Sequence, residues 1–325
     1  MKVGVIGGGA WGTALAEVAA SGGDVLLWAR EPEVVQGVNT ARENTLFLPG
    51  VRLSETITAT SDLGALGDCD MLLVVAPAQH VRSVLERVPS RGTPIVLCAK
   101  GIEAATRKLV GEVAADVLPG APLAVLSGPT FAREVAMGLP TAITFACADR
   151  ALADRLMARI AAPRFRPYWT DDVIGAEVGG AIKNVLAIAC GVVVGRKLGE
   201  NARAALISRG FAEMLRFGIA KGARSETMRG LSGLGDLVLT CSSTQSRNFS
   251  LGYGLGEGKS ARDLLSDRLT VAEGAFTAPV LDAAADELGI DMPITRAVCS
   301  LLDGSASVDA VIADLLSRPL RDEDA

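Results

Sequence analysis

Aromatic side chains are scarce in this chain, at 4% of 325 residues. The interior is left to Ala, Val, Leu and Gly, which implies closely packed helices. Histidine is scarcer still, with His80 the single example. Histidine-rich metal sites are thereby excluded, and no metal site is expected. A histidine general base would have to be His80, which falls just after an apolar strand and reads as a solvated helix residue. Acid-base chemistry is left to lysine and aspartate. Positive charge is not in excess: the formal net charge is −5 and the pI near 5.2, which gives no electrostatic footprint for nucleic acid. There is no Cys-x-x-Cys pair. The six cysteines (Cys69, Cys98, Cys147, Cys190, Cys241 and Cys299) are far apart and read as reduced core thiols of a cytoplasmic protein. The most apolar run, Val185 to Gly195, is too short to span a bilayer and is flanked by Lys183 and Arg196. The first strand begins at once, leaving no room for a signal peptide. The expectation is a soluble, cytoplasmic protein with no membrane span.

Glycine, by contrast, is abundant, with 36 residues. Three of them organise the N-terminus. In the stretch from Lys2 to Gly12, the apolar strand Val3, Val5, Ile6 runs into Gly7, Gly9 and Gly12, spaced as G-x-G-x-x-G, and then into a helix pattern from Thr13 to Ala20. In such a unit the first glycine makes the tight turn, the second lets backbone approach a pyrophosphate, and the third packs helix on strand. The amides at the helix start attract the anion. A second strand, Asp24 to Ala29, closes the unit and makes a dinucleotide site the favoured reading. That strand ends in Arg30. An arginine here accommodates a 2′-phosphate and argues for NADPH, while Glu31 beside it allows NADH as well.

A chain of this length is long for a single core, so two domains are expected. Strand and helix patterns alternate through the first half. Strands are predicted at Met71 to Ala76, Pro94 to Ala99, Leu123 to Leu126, Thr141 to Cys147 and Arg164 to Trp169, and helices at Gln79 to Val88, Thr106 to Leu118 and Ala151 to Ala161. The stretch Asn44 to Gly50 reads as irregular. Such alternation implies a doubly wound parallel sheet with helices on both faces. From Asp171 onward helical periodicity takes over. The predicted domains are therefore residues 1–170, binding a dinucleotide, and residues 171–325, helical, with a frayed tail from Arg321.

In a doubly wound sheet ligands bind beyond the carboxyl ends of the strands. Two of those ends are Lys100-Gly-Ile-Glu103 and Ser127-Gly-Pro-Thr-Phe-Ala132, which place a lysine and a small, hydroxyl-bearing turn where an anionic substrate would sit. The second half opens on Glu177 to Ala189, apolar nearly all round and interrupted by Lys183. Burying an ammonium disfavours its charge and moves its pKa toward the range useful in proton transfer. Pairing with Glu177 or Asp236 is the structural alternative for Lys183. Further on, Ser246-Arg247-Asn248 makes a compact oxyanion site, because a guanidinium forks onto phosphate and an amide donates beside it. Val271-Ala-Glu-Gly274 and Met292-Pro-Ile-Thr295 have no evident task from sequence physics.

Taken together, GGGAWGTALA, FLPG, AKGIE, SGPTFA, GGAIKNV, ENARAALISRGFAEM, GLSGLGDLVLTC, SRN, and AEG followed by MPIT resemble the bacterial NAD(P)-dependent glycerol-3-phosphate dehydrogenases, over nearly the whole chain. The resemblance implies a Rossmann-type sheet domain followed by an all-α domain like the C-terminal domain of 6-phosphogluconate dehydrogenase. It implies reduction of dihydroxyacetone phosphate to sn-glycerol 3-phosphate by NADPH or NADH, supplying phospholipid synthesis. By motif match, Lys183 transfers the proton. Lys100, Gly128, Thr130, Lys183, Asn184, Asp236, Ser246, Arg247 and Asn248 form the substrate site. Beside the glycines Gly7, Gly9 and Gly12, the cofactor side takes Ala10, Trp11, Arg30, Lys100, Ala132, Arg247, Val271 and Glu273. Buried apolar helices are compatible with a homodimer. After Asn248 this chain has Phe249 and Ser250 where many members carry further basic residues. The nearest competitor is a ketopantoate or β-hydroxyacid reductase, which lacks the SGPTFA turn together with Ser246-Arg-Asn248. A nicotinamide-sensing regulator would need a nucleic-acid surface or partner module, which the acidic charge argues against.

Overall fold

The computed structural model describes residues 1–89, 92–266 and 272–319. The chain packs as two compact units, Met1–Ala181 with Lys221–Asp236, and Ile182–Ala220 with Leu237–Ala325.

The first unit is built on an eight-stranded sheet. Its strands are β1 (Val3–Ile6), β2 (Val25–Trp28), β3 (Ile57–Thr60), β4 (Met71–Val74), β5 (Ile95–Leu97), β6 (Leu123–Ser127), β7 (Thr141–Ala146) and β8 (Phe165–Thr170). They are ordered β3-β2-β1-β4-β5-β6-β7-β8. The first six are parallel, and β1, β2 and β4 are buried throughout, as strands covered on both faces must be. Successive side chains point to opposite faces. Val3, Val5, Leu27 and Leu73 join one apolar cluster, while Ile6, Leu26, Leu72 and Val74 join another.

Four local details differ from the sequence reading. The strand β3 was passed over because its polar alternation, with Thr58 and Thr60, carries no apolar run. The strand β7 runs antiparallel to β6, because the connection between them holds only a five-residue helix, Ala132–Ala136, and turns back instead of crossing over. The connection from β7 to β8 carries the longer helix Arg150–Ile160, and that pair is parallel. The helix expected from Thr106 starts at Val110, and the one expected from Gln79 begins as a 3-10 turn at Ala78–His80. His80 itself is exposed, as expected.

The returning segment is tied to the sheet unit by charge. Lys221 Nζ meets Glu112 Oε2 at 3.0 Å, the Arg224 amide donates to Asp172 Oδ2 at 2.8 Å, and the Arg224 guanidinium pairs with Asp171.

In the second unit every regular element among the described residues is helical. The helix Val173–Gly195 begins in the first unit and ends in this one. It is 23 residues long and apolar enough by composition to cross a membrane, yet most of it is buried inside the chain. The helix Arg247–Gly256 packs tightly on it: a Cβ at Gly252 would stand 1.9 Å from Ile188 O. Phe249 is a core residue of this contact at 3% exposure. The helix Glu200–Ala220 supplies Glu213, which is buried and accepts N–H groups from Ile294 at 2.6 Å and Thr295 at 3.2 Å, at the start of the helix Pro293–Asp303. Burial pushes its pKa up to about 7, with the two amides opposing the rise. The MPIT segment thus serves to receive a buried carboxyl. All six cysteines are free thiols, five of them buried and Cys299 half-buried.

Candidate active site

The glycine turn follows from backbone sterics. Gly7 has φ +128°, a conformation side chains disfavour, and its amide donates to Trp28 O at 3.0 Å, tying the turn to the end of β2. A Cβ at Gly12 would lie 1.8 Å from Gly7 O, so only glycine allows the helix Ala10–Ala20 to close on the strand. Gly9 differs: a Cβ there would meet nothing within 4 Å. It is the N-cap of the helix and has no capping side chain, so the first-turn amides are left for an external acceptor. Trp11 is half-buried, and among the described residues its Nε1 has no hydrogen-bond partner. Open space at Gly9, uncapped amides and an unmatched indole N–H fit a dinucleotide. Ala10, Trp11 and Ala132 pack against the same apolar cluster. Arg30 is exposed at the end of β2 and donates to Glu31 Oε1 through Nε at 3.1 Å and Nη2 at 2.8 Å.

Farther along the same sheet edge, Lys100 follows β5 and Gly128 follows β6. Lys100 Nζ donates to Asp236 Oδ2 at 2.6 Å and to Gly128 O at 3.3 Å, and Thr130 Oγ1 donates to Gly128 O at 3.2 Å. Lys100 is 13% exposed and Asp236 is fully buried. A buried ion pair is weak evidence of stabilisation, because desolvation offsets much of the attraction. Its place at the strand ends points to a ligand instead.

In the second unit the candidate groups stand on helices. Lys183 and Asn184 are consecutive on the helix Val173–Gly195, at 6% and 7% exposure. Lys183 Nζ donates to Thr240 Oγ1 at 3.0 Å, whereas Glu177 accepts the Gly111 amide at 2.6 Å. Asn248 is buried and its Oδ1 accepts from the Gly274 amide at 2.9 Å. A Cβ at Gly274 would stand 2.5 Å from Asn184 O, so Asn184, Asn248 and Gly274 crowd one place. Ser246 caps the helix Arg247–Gly256, its Oγ accepting from the Phe249 amide at 3.3 Å. Arg247 is exposed in the first turn of that helix. Glu273 opens the helix Glu273–Glu287 and is half-buried. Val271 lies outside the described residues.

The chain is 61% identical over 323 residues to the glycerol-3-phosphate dehydrogenase (NAD(P)+) of Erythrobacter litoralis, covering 99% of this chain and 98% of that protein. It belongs to the NAD-dependent glycerol-3-phosphate dehydrogenase family. The family's N-terminal model matches residues 2–153 and its C-terminal model residues 172–313. The Novosphingobium aromaticivorans glycerol-3-phosphate dehydrogenase (NAD(P)+) is 62% identical, again over 99% of this chain and 98% of the relative. The crystal structure of glycerol-3-phosphate dehydrogenase from Coxiella burnetii superposes with a TM-score of 0.93 at 39% identity, covering 98% of this chain and 99% of the other. The Rossmann-type sheet and the helical second unit are the architecture of a glycerol-3-phosphate dehydrogenase.

Sequence reasoning passed over one residue of this dehydrogenase fold that shapes the cofactor turn. Asn44 is 1% exposed, and its Nδ2 donates to Gly8 O and Thr13 Oγ1, both at 2.8 Å, while its Oδ1 accepts the Phe47 amide at 3.1 Å. It braces the glycine turn from 36 positions away. The only signal in the sequence was its place just before the FLPG stretch. Thr240, the partner of Lys183, was likewise unmarked except as part of the GLSGLGDLVLTC run.

Proposed function

We propose that this chain catalyses the reversible, NAD(P)H-dependent reduction of dihydroxyacetone phosphate to sn-glycerol 3-phosphate in the cytoplasm, supplying phospholipid synthesis. The observation that carries the reading is the buried Lys183 amine, set in an apolar helix and oriented by Thr240. The nicotinamide cofactor, when bound, supplies the hydride for the ketone carbon. Lys183 gives a proton to the oxygen that gains charge as the ketone is reduced, and takes it back in the reverse direction. Lys100, Asp236, Gly128 and Thr130 orient the substrate. Arg247 grips the phosphate through its guanidinium, with Asn248 and Ser246 beside it and Asn184 positioning the lysine or a substrate hydroxyl.

Gly7, Gly9 and Gly12 admit the pyrophosphate at the amides of Ala10 and Trp11. Ala132 and Lys100 add to the cofactor side of the same unit, and the family motifs assign Arg247 and Glu273 to the cofactor as well. Arg30 takes a 2′-phosphate, so NADPH is preferred, and its pairing with Glu31 keeps NADH usable. The SGPTFA turn together with Ser246-Arg247-Asn248 favours a phosphorylated ketone over the substrates of ketopantoate-type reductases.

The test is loss of nicotinamide absorbance with NADPH or NADH on adding dihydroxyacetone phosphate or unphosphorylated dihydroxyacetone. Fast oxidation that needs the phosphate is expected. Equal rates with both ketones, or no turnover by folded, cofactor-binding protein, would overturn the substrate assignment.

A further inference from the structure

We propose that Ser127 is a substrate-contacting residue whose hydroxyl bonds the free hydroxymethyl group of the ketone. The inference rests on the substrate reading above. Ser127 is the last residue of β6 and is 3% exposed, and among the described residues its Oγ has no hydrogen-bond partner. A serine hydroxyl offers one donor and two acceptor sites, and folded proteins leave few such groups unmatched when buried. Alanine would occupy the same space and leave nothing unmatched. On this proposal the missing partner is a group of the bound substrate.

The surroundings indicate which partner. A Cβ on Gly180 would stand 3.0 Å from Ser127 Oγ and 3.2 Å from Lys100 Cγ, so the hydroxyl and the lysine stem lie side by side against Gly180 of the helix Val173–Gly195. Lys100 continues to Asp236, and their opposite charges compensate each other. The Thr130 hydroxyl is already donated to Gly128 O. A phosphate dianion calls for uncompensated positive charge, which this wall does not offer. A neutral hydroxyl, needing one donor and one acceptor, matches Ser127 as it stands. The free hydroxymethyl end of dihydroxyacetone phosphate is the neutral hydroxyl of the substrate.

The test compares wild type and Ser127→Ala on dihydroxyacetone phosphate and on hydroxyacetone phosphate, which lacks that hydroxyl, with Tm and NADPH affinity measured alongside. With dihydroxyacetone phosphate the variant is expected to lose about tenfold in kcat/KM, mainly through KM. With hydroxyacetone phosphate the two proteins should agree within about twofold, because the bonded group is missing from the ligand as well. Tm should hold or rise and NADPH affinity stay unchanged. Kinetics within about twofold of wild type on dihydroxyacetone phosphate would overturn the proposal. So would an equal loss on both substrates, or a lowered Tm with unchanged KM. Absence of wild-type turnover on dihydroxyacetone phosphate would remove the substrate reading, and this assignment with it, whatever the variant did.

Discussion

The two units use the chain in opposite ways. In the sheet unit the candidate groups stand at strand ends, and much of what they offer is backbone: the amides after Gly9, the carbonyl of Gly128, the turn closed by Gly12 against Gly7 O. In the helical unit the candidate groups are side chains that break an apolar surface, with Lys183, Asn184 and Asn248 all buried. A sheet edge can bind a cofactor with very little side-chain chemistry, because parallel strands and helix starts aim unpaired backbone groups in one direction. A helix has no such backbone to offer along its length and must place a functional side chain in its core-facing surface.

That contrast predicts how each unit fails. The largest effect belongs to Lys183→Ala. Loss of the proton donor should lower kcat by roughly 100- to 10,000-fold while cofactor affinity is retained. Stopped-flow turnover together with NADPH fluorescence titration checks this, and a retained kcat would sink the assignment. Arg247→Ala comes next. Removing charge-assisted bonds costs about 1.5–3 kcal/mol, so KM for dihydroxyacetone phosphate should rise roughly 10- to 150-fold, with kcat changed much less. The smallest effect is in the sheet unit. Asn44→Ala removes the amide donor to Gly8 O and leaves the Phe47 amide without its acceptor, which should lower Tm and weaken NADPH binding by roughly 3- to 10-fold while kcat at saturating cofactor holds. If Asn44→Ala instead lowered kcat and left cofactor affinity alone, the division between a binding edge and a reacting helix would be wrong.

The sequence disclosed these two kinds of site unequally. The glycine turn was legible because its spacing is local: Gly7, Gly9 and Gly12 do their work within one strand-turn-helix unit. Lys183 was legible as a charge in an apolar helix, although its partner was not, since Thr240 lies 57 positions away. Pairings across long separations leave no trace in one sequence. Lys100 with Asp236 spans 136 positions, and Glu213 with Thr295 spans 82. Asn44 stood in a stretch read only as irregular, yet it holds the cofactor turn. The sequence reading placed the domain boundary at residue 170, where β8 ends; the sheet unit runs on to Ala181 and takes back Lys221–Asp236. The ion pairs of Lys221 and Arg224 that attach this segment are again long-range, so periodicity alone carries no sign of it. The family motifs supplied the substrate, which no local pattern could name.

The measurement that tests the account most directly is kcat/KM for unphosphorylated dihydroxyacetone in wild type, Arg247→Ala and Lys183→Ala. If Arg247 serves the ketone only through its phosphate and Lys183 moves the proton, then at saturating NADPH Arg247→Ala should match wild type within about twofold on this ketone, and Lys183→Ala should remain down by roughly 100-fold or more. An Arg247→Ala enzyme as impaired on dihydroxyacetone as on its phosphate, or a Lys183→Ala enzyme as active as wild type, would contradict the separation of grip from chemistry.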